Sequence, residues 1–395
     1  MAVDIKKLLD IVQKRINNLD SSTVTLQELI DIANFTDKAS NGTIQFVDDS
    51  SDLPNLENPD LPTAEGNRNL TFVKNSGRLF AKKEKWKPFT FRGLIPTPAY
   101  SFQGSTSGYT SGGQFGSNVV DKFPFASDGN ATDVGDLTVG RYAVAGQSST
   151  ASGYTSGGLV APTNSASDVI DKFPFSSDAN ATDVGNLTAA TWNIAGQSSG
   201  DNGYISGGNP YDTPTILNII EKFPFSSDGN ATDVGDMTVA RYEAVGQSST
   251  DNGYTSGGNN PPTGRLNVID KFPFSSDGNA TDVGDLTVAR SRSSGQSSAD
   301  HGYMSGGIDP TLSPTSSDVI DKFPFSSDAN ATDVGNLTST NFDIAGQSST
   351  ANGYSTGAGG GGGNKIEKFS FSSDGNATDV GDLSTPSNRS AGQQV

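Results

Sequence analysis

Short runs in which apolar and polar residues alternate recur along this chain at a nearly fixed interval. In the copy around Tyr254 four such runs follow one another: AVGQSST at 244–250, GYTSGG at 253–258, NVIDKFPF at 267–274 and ATDVGDL at 280–286. Alternation with period two is the pattern of a β-strand that shows each face a different environment. The third run places Val268, Asp270, Phe272 and Phe274 on one side and Ile269 and Lys271 on the other. Pro273 has no N–H for a strand ladder, so a bend or bulge is expected there. The first two runs are rich in Gly and Ser and offer little apolar area. Packing between sheets is therefore expected to rest on Phe, Val, Ile and Leu of the third and fourth strands.

The four-strand module is written six times. FPFSSDGNATDVGDLTVAR at 272–290 recurs as FPFSSDGNATDVGDMTVAR at 223–241 and FPFASDGNATDVGDLTVGR at 123–141. The first Phe of this phrase falls at Phe123, Phe173, Phe223, Phe272, Phe323 and Phe369, and a Gly-Tyr pair recurs at Tyr109, Tyr154, Tyr204, Tyr254, Tyr303 and Tyr354. A period near fifty residues built of four short strands predicts the blades of a propeller. The last residues, Ala391–Val395, repeat the start of a first strand. They are expected to pair in the Tyr109 blade, so that both ends of the repeat region share one sheet and no edge stays open.

The repeats begin near residue 96. Before them, Ile5, Leu9, Val12, Ile16 and Leu19 follow each other at four, three, four and three residues, the apolar seam of a short helix. Thr25 and Glu28 form a capping box for a second helix through Leu26, Leu29, Ile30 and Ala33. Residues 1–49 are read as a helical segment that attaches or oligomerises the protein, because helices this short need a partner surface. Their packing on each other as a hairpin is the plainer alternative. Residues 50–95 carry the strand patterns NLTFVK and RLFAKK across the turn Asn75-Ser76-Gly77, and Trp86 follows.

Three resemblances add to this. Leu61-Pro62, Gly66, Phe72-Val73, Leu79-Phe80 and Trp86 resemble a small β-motif of bacteriophage tail and fibre proteins that stands ahead of receptor-binding domains. Gly-Tyr-x-Ser-Gly-Gly, a variable loop and a Val-Ile-Asp-Lys-Phe strand resemble the kelch repeat, and Thr238–Arg241 resembles its strand junction. The kelch tryptophan is missing, with Val134, Val184 and Val234 near its place. Ser176-x-Asp178-x-Asn180-x-Thr182 resembles the Asp-box of sialidase-type propellers, a structural turn in those families. Here Asn180 stands for its glycine and Asp183 for its aromatic residue. Together these imply a mainly β protein: a six-bladed kelch-like β-propeller over 96–395, behind a small helical segment and a short β-module.

Composition narrows the chemistry. A net charge of −18 repels nucleic acid. There is no cysteine and a single histidine, His301, which removes thiolate and multi-histidine metal centres. No apolar h-region opens the chain and no apolar run approaches twenty residues, so neither a signal peptide nor membrane insertion is expected. Asp228, Asn230, Thr232 and Asp236 have calcium-loop spacing, but Asp233 takes the place of the turn glycine. A turn in which Asp178, Asp228 and their equivalents bond to backbone amides and hydroxyls is expected instead, without metal or cofactor. His301 sits where other copies have Asn202, Asn252 and Asn352, so it is read as a turn residue, and no catalytic residues are assigned.

Where the copies differ is more telling. Variation gathers in the loops between second and third strands and at the junctions from fourth strand to the next first strand, which emerge at one end of an up-and-down blade. Loops that differ on a constant scaffold are how binding surfaces are built. Tyr142, Trp192, Tyr242, Phe342 and Tyr211 are candidate stacking platforms there, and Arg141, Arg241, Arg265, Arg290 and Arg292 candidate donors. The alternative for the aromatics is wedge packing between blades. The sequence thus reads as a fibre-type bacteriophage virion protein, a homo-oligomer held to other virion proteins by its N-terminal helices, that recognises a host-surface glycan or protein. A decoration subunit is the second reading, and a glycan-degrading enzyme the third.

Overall fold

The computed structural model describes residues 102–113, 116–210, 215–359 and 363–395, with the backbone of four strands nearer the N-terminus. The chain divides into two compact units, Met1–Pro96 and Thr97–Val395. In the first, Asn69–Val73 pairs antiparallel with Arg78–Lys82 in the register Asn69 to Lys82, and Trp86–Pro88 continues the sheet. This is the hairpin expected from NLTFVK and RLFAKK. Ile44–Val47 adds a parallel strand against Asn69–Val73, which the pattern did not suggest and which falls inside the segment read as helical. The helices expected over 4–19 and from Leu26 lie outside the described residues.

The second unit is mainly β. Among the described residues it holds no α-helix and contains six antiparallel four-strand arrays, each running first, second, third, fourth strand. The fourth of them consists of Val245–Ser248, Asn252–Ser256, Val268–Pro273 and Thr281–Asp285, within three residues of the expected ends. The array around Tyr109 takes its first strand from the other end of the chain: Ala391–Gln394 pairs with Ser107–Ser111, Gln393 facing Tyr109. Pro273 lies within its strand opposite Asn252. The irregularity comes earlier, between Ile269 and Asp270, where Val283 of the fourth strand is the extra residue. The third strand keeps its alternation, and Ile269 and Asp270 are both fully buried because its two faces pack on different neighbours, Ile269 with Phe323 and Asp270 with Arg241.

Each array closes on the next through a repeated aromatic contact. Tyr254 stacks on Phe325 at 4.7 Å and meets Phe323 at 5.5 Å. The same contact joins Tyr354 to Phe125 and Phe123, linking the last array to the first. Ile269 and Leu286 of one array and Phe323 and Ala331 of the next complete each buried cluster. The Gly-Tyr tyrosines are thus part of the core, together with the apolar residues expected to form it. The glycine before each tyrosine serves the same packing. A Cβ on Gly253 would lie 2.3 Å from the Phe272 ring across the ladder.

The first strands pack on one another. Ala145–Ser148 touches Ala195–Ser198, that strand touches Val245–Ser248, and the succession continues through Ser294–Ser297 and Ala345–Ser348 to Ala391–Gln394, which touches Ala145–Ser148. The approach is at backbone distance, since a Cβ on Gly246 would stand 2.0 Å from the carbonyl oxygen of Gly196. Buried glutamines tie the arrays as well: Gln247 donates to the Tyr303 carbonyl at 3.0 Å, and Gln347 to that of Tyr109.

Every third strand also buries a carboxylate. Asp171, Asp270 and Asp321 are fully buried, each within 2.7–3.0 Å of an arginine Nη2, those of Arg141, Arg241 and Arg290. Thr191 and Asn341 take the arginine's place in two arrays, and there the acid is glutamate, Glu221 and Glu367. The longer chain still accepts the backbone N–H and hydroxyl of Thr188 or Thr338. Burial pushes the Glu221 carboxyl up from 4.5 to about 7, against the opposing effect of the Thr188 amide. With the folded-state pKa raised, this group's contribution to stability is fully present below about pH 4.5 and is lost as pH rises through about 7. Glu221→Gln keeps an acceptor for Thr188 and does not ionise. The variant should match wild type near pH 4 and be more stable at pH 8, by an amount on the order of 3 kcal/mol. Denaturant titrations at both pH values check this, and equal stability of the two proteins at pH 8 would refute it.

Candidate functional site

The loops between second and third strands and the fourth-to-first junctions come together at one end, as expected, and they are hydrogen-bonded to each other. Arg141–Tyr142 pairs with Leu159–Val160, which pairs with Ser165–Ala166. Thr191–Trp192 pairs with Pro210 and Asn209, and single bridges join Tyr242 to Asn259 and Ser291 to Ile308. The variable segments thus form small secondary sheets, which fixes their side chains more firmly than free loops would.

This placement corrects part of the expected site. Arg141, Arg241 and Arg290 are buried to within 1% of complete, held by Asp171, Asp270 and Asp321. They also donate inward to backbone, as Arg141 does to the carbonyl of Val169 and Arg241 to that of Thr255. They serve the fold and offer no donor to a ligand. The sequence showed their position at the junction but not the carboxylate about thirty residues downstream that draws them in.

The aromatics are half-buried. The Tyr142 hydroxyl donates to Asn164 Oδ1 at 2.8 Å, and the Tyr242 hydroxyl accepts from Asn259 Nδ2 at 2.7 Å. The Phe342 ring has the Arg292 guanidinium over it at 5.0 Å, and it fills the space a Cβ on Gly359 would need. Arg265 is half-buried and donates through Nε to Ser291 Oγ at 3.3 Å. Tyr211 lies outside the described residues.

The acidic turns differ in detail from expectation. Among the described residues Asp178 and Asp228 accept from Lys122 and Lys172 of the preceding array, at 3.1 and 3.0 Å, and from no backbone amide. Asn180 and Asn230 accept the backbone N–H of Asp136 and Asn186, also across the gap. Two of the four oxygens with calcium-loop spacing, those of Asp228 and Asn230, are thus used to join neighbours, while Thr232 Oγ1 donates to Lys222 O within its own array. His301 closes its turn, its N–H donating to Ser298 Oγ and its carbonyl accepting the Ser298 amide.

A group not assigned from sequence lies at the variable end. Ala143, Asn193, Glu243, Arg292, Asp343 and Arg389 each follow the junction by one step, and each has φ between 53° and 62°. Their backbones join head to tail: Asn193 N–H donates to Ala143 O, Glu243 to Asn193, Arg292 to Glu243, Asp343 to Arg292, Arg389 to Asp343, and Ala143 to Arg389 O. Left-handed backbone costs a non-glycine residue about 1 kcal/mol or more. At another position of the repeat the chain meets that demand with glycine in all six copies, Gly112, Gly157, Gly207, Gly257, Gly306 and Gly357. At the ring none of the six is glycine, and five of the six side chains are polar.

The ring lines an open depression of about 80 Å³. Arg292 grips Asp343 through Nε at 2.6 Å and through Nη2, and Arg389 Nε reaches the same carboxylate at 3.0 Å. Glu243 accepts from Ser291 Oγ at 3.1 Å; burial pushes its carboxyl up, and neighbouring Arg292 opposes that. Asn193 Nδ2 and Ser390 Oγ are buried and have no hydrogen-bond partner among the described residues. In the sequence, the signal was the residue two places before each AGQ-type strand, which takes five identities over the six copies.

No protein-family model matches the chain, and no curated protein matches it in sequence. Among solved structures it is similar to that of YjhT, over 65% of this chain and 88% of that one, with a TM-score of 0.54 and 12% identity. At that identity the likeness concerns the fold alone.

Proposed function

We propose that the six arrays are the blades of a closed six-bladed, kelch-like propeller, and that the protein is a fibre-type component of a bacteriophage virion. In this reading the N-terminal segment holds it to other virion proteins as a homo-oligomer, and the variable end of the propeller binds a glycan of the host surface. The observation that carries the reading is the separation of constant and variable residues. Turns at one end repeat almost unchanged, while the other end differs copy by copy and is braced by its own small sheets. The succession of first-strand contacts and the pairing of Ala391–Gln394 with Ser107–Ser111 support closure. The chain also enters at the constant end, where Gly104 bridges to Ser349 and Phe102 O accepts from Gln394.

Replacing Trp192 by alanine should leave particle assembly intact and lower adsorption to host cells about tenfold or more, the cost of removing an aromatic anchor. Arg265→Ala serves as a second variant on the same end. Normal adsorption by both would favour a decoration subunit that only packs on its neighbours.

A further inference from the structure

Six residues at the ring hold a backbone conformation that glycine adopts freely, and the chain uses glycine for it at every copy of the Gly112 position but at no copy of the ring position. The side chains at the ring are therefore kept against a backbone preference, and since five residue types occupy the six places, they are not kept for the repeat itself. Unfavourable backbone maintained at one place is a mark of a functional site.

The chemistry of the depression limits what can fill it. Its volume of about 80 Å³ is well below the roughly 300 to 1,000 Å³ of whole small-molecule sites, so it takes at most part of one ligand ring and leaves the rest of a ligand outside. The ring carries two carboxylates, Glu243 and Asp343, and two guanidinium groups, Arg292 and Arg389, so its formal charge sums to zero. Asp343 is saturated by the two arginines. What remains is mixed: Asn193 Nδ2 is an unused donor, and Glu243 keeps acceptor capacity beyond its bond to Ser291. Ser390, lining the depression and only 8% exposed, has a hydroxyl without a partner. A hydroxyl-bearing ligand both donates and accepts, which matches this set. A free anion would meet Glu243, and a cation would have to compete with Arg292 and Arg389 for Asp343.

We propose that this ring is the binding subsite for one uncharged pyranose residue. The inference rests on the glycan-recognition reading and names the place and chemical class of the ligand. Asn193, Glu243 and Ser390 contact its hydroxyls, while the arginine–Asp343 bridge holds the wall.

The test uses the full chain and saturation-transfer NMR with methyl glycosides of glucose, galactose, mannose and N-acetylglucosamine, and with glucuronic acid as the charged counterpart. At least one neutral glycoside should bind. Asn193→Gly and Glu243→Gly remove the side chains and relieve the backbone. Both variants should melt at or above the wild-type temperature while binding falls at least tenfold. Four results overturn the proposal: no neutral glycoside bound by the wild type, binding of the charged sugar alone, unchanged binding in both variants, or loss of folding in both. Unchanged binding in both variants would place the sugar elsewhere on the variable end and leave glycan recognition standing. Failure of the recognition reading shows separately, as normal adsorption by both Trp192→Ala and Arg265→Ala particles.

Discussion

Gly246→Ala should abolish folding or lower the melting temperature by many degrees, although it adds one methyl group to a strand that any residue could form by its φ. The added Cβ would stand 2.0 Å from the carbonyl oxygen of Gly196 and 2.7 Å from its carbon. Both are backbone atoms, so no rotamer change relieves the clash. Six equivalent glycines line the first strands, each pressing on the one before: Gly392 on Gly346 at 2.1 Å, Gly146 on Gly392 at 2.2 Å. To admit a methyl group two arrays must separate, and because each first strand touches two others the displacement spreads. Overpacking commonly costs about 1–3 kcal/mol where side chains can shift, and here the obstruction is main chain. Gly229→Ala is the control. Nothing lies within 4 Å of a Cβ there, and two copies already carry alanine, Ala179 and Ala329. Thermal melting of both variants checks the argument, which fails if Gly246→Ala melts with its control.

The repeat made much of this legible in advance. Six copies of one pattern average out the ambiguity of any single strand, and so the ladder positions and the pairing of Ala391–Gln394 could be read from residues alone. What the pattern could not give was the side on which a polar residue ends. Arg141 and Arg292 both sit at fourth-to-first junctions and look alike in sequence. The first is drawn inward by Asp171 and the second faces the depression beside Glu243 and Asp343. The ring escaped notice for a related reason. Positive φ is inferred from glycine, and Ala143, Glu243, Arg292 and Arg389 give no such sign. The bulge between Ile269 and Asp270 likewise has no local marker, and Pro273 drew attention to the wrong place.

Arg241→Thr should destabilise the protein by about 3–5 kcal/mol, the loss usual when one partner of a buried ion pair is removed. Asp270 would remain fully buried with only the Thr238 amide and hydroxyl at 3.0 and 2.6 Å to hold its charge. The chain itself contains the remedy. Where threonine or asparagine replaces the arginine, at Thr191 and Asn341, the acid is glutamate in both cases. Glu221 then keeps the threonine contacts, and burial shifts its carboxyl toward the neutral form. Adding Asp270→Glu to Arg241→Thr recreates that combination in the fourth array, so the double variant should recover part of the loss, most at pH below about 7 where Glu221 itself is protonated. The remaining array marks the limit of the rule. Ser387 stands at the arginine's place in the sequence, and Asp121 accepts the Ser384 amide at 3.0 Å and leaves Oδ1 without a partner among the described residues. Burial raises its pKa, in keeping with a carboxyl that lacks a counter-charge. A double-mutant cycle in denaturant reads the coupling directly. Should the double variant be no more stable than Arg241→Thr alone at any pH, the pairing of arginine with aspartate and of its absence with glutamate is accidental.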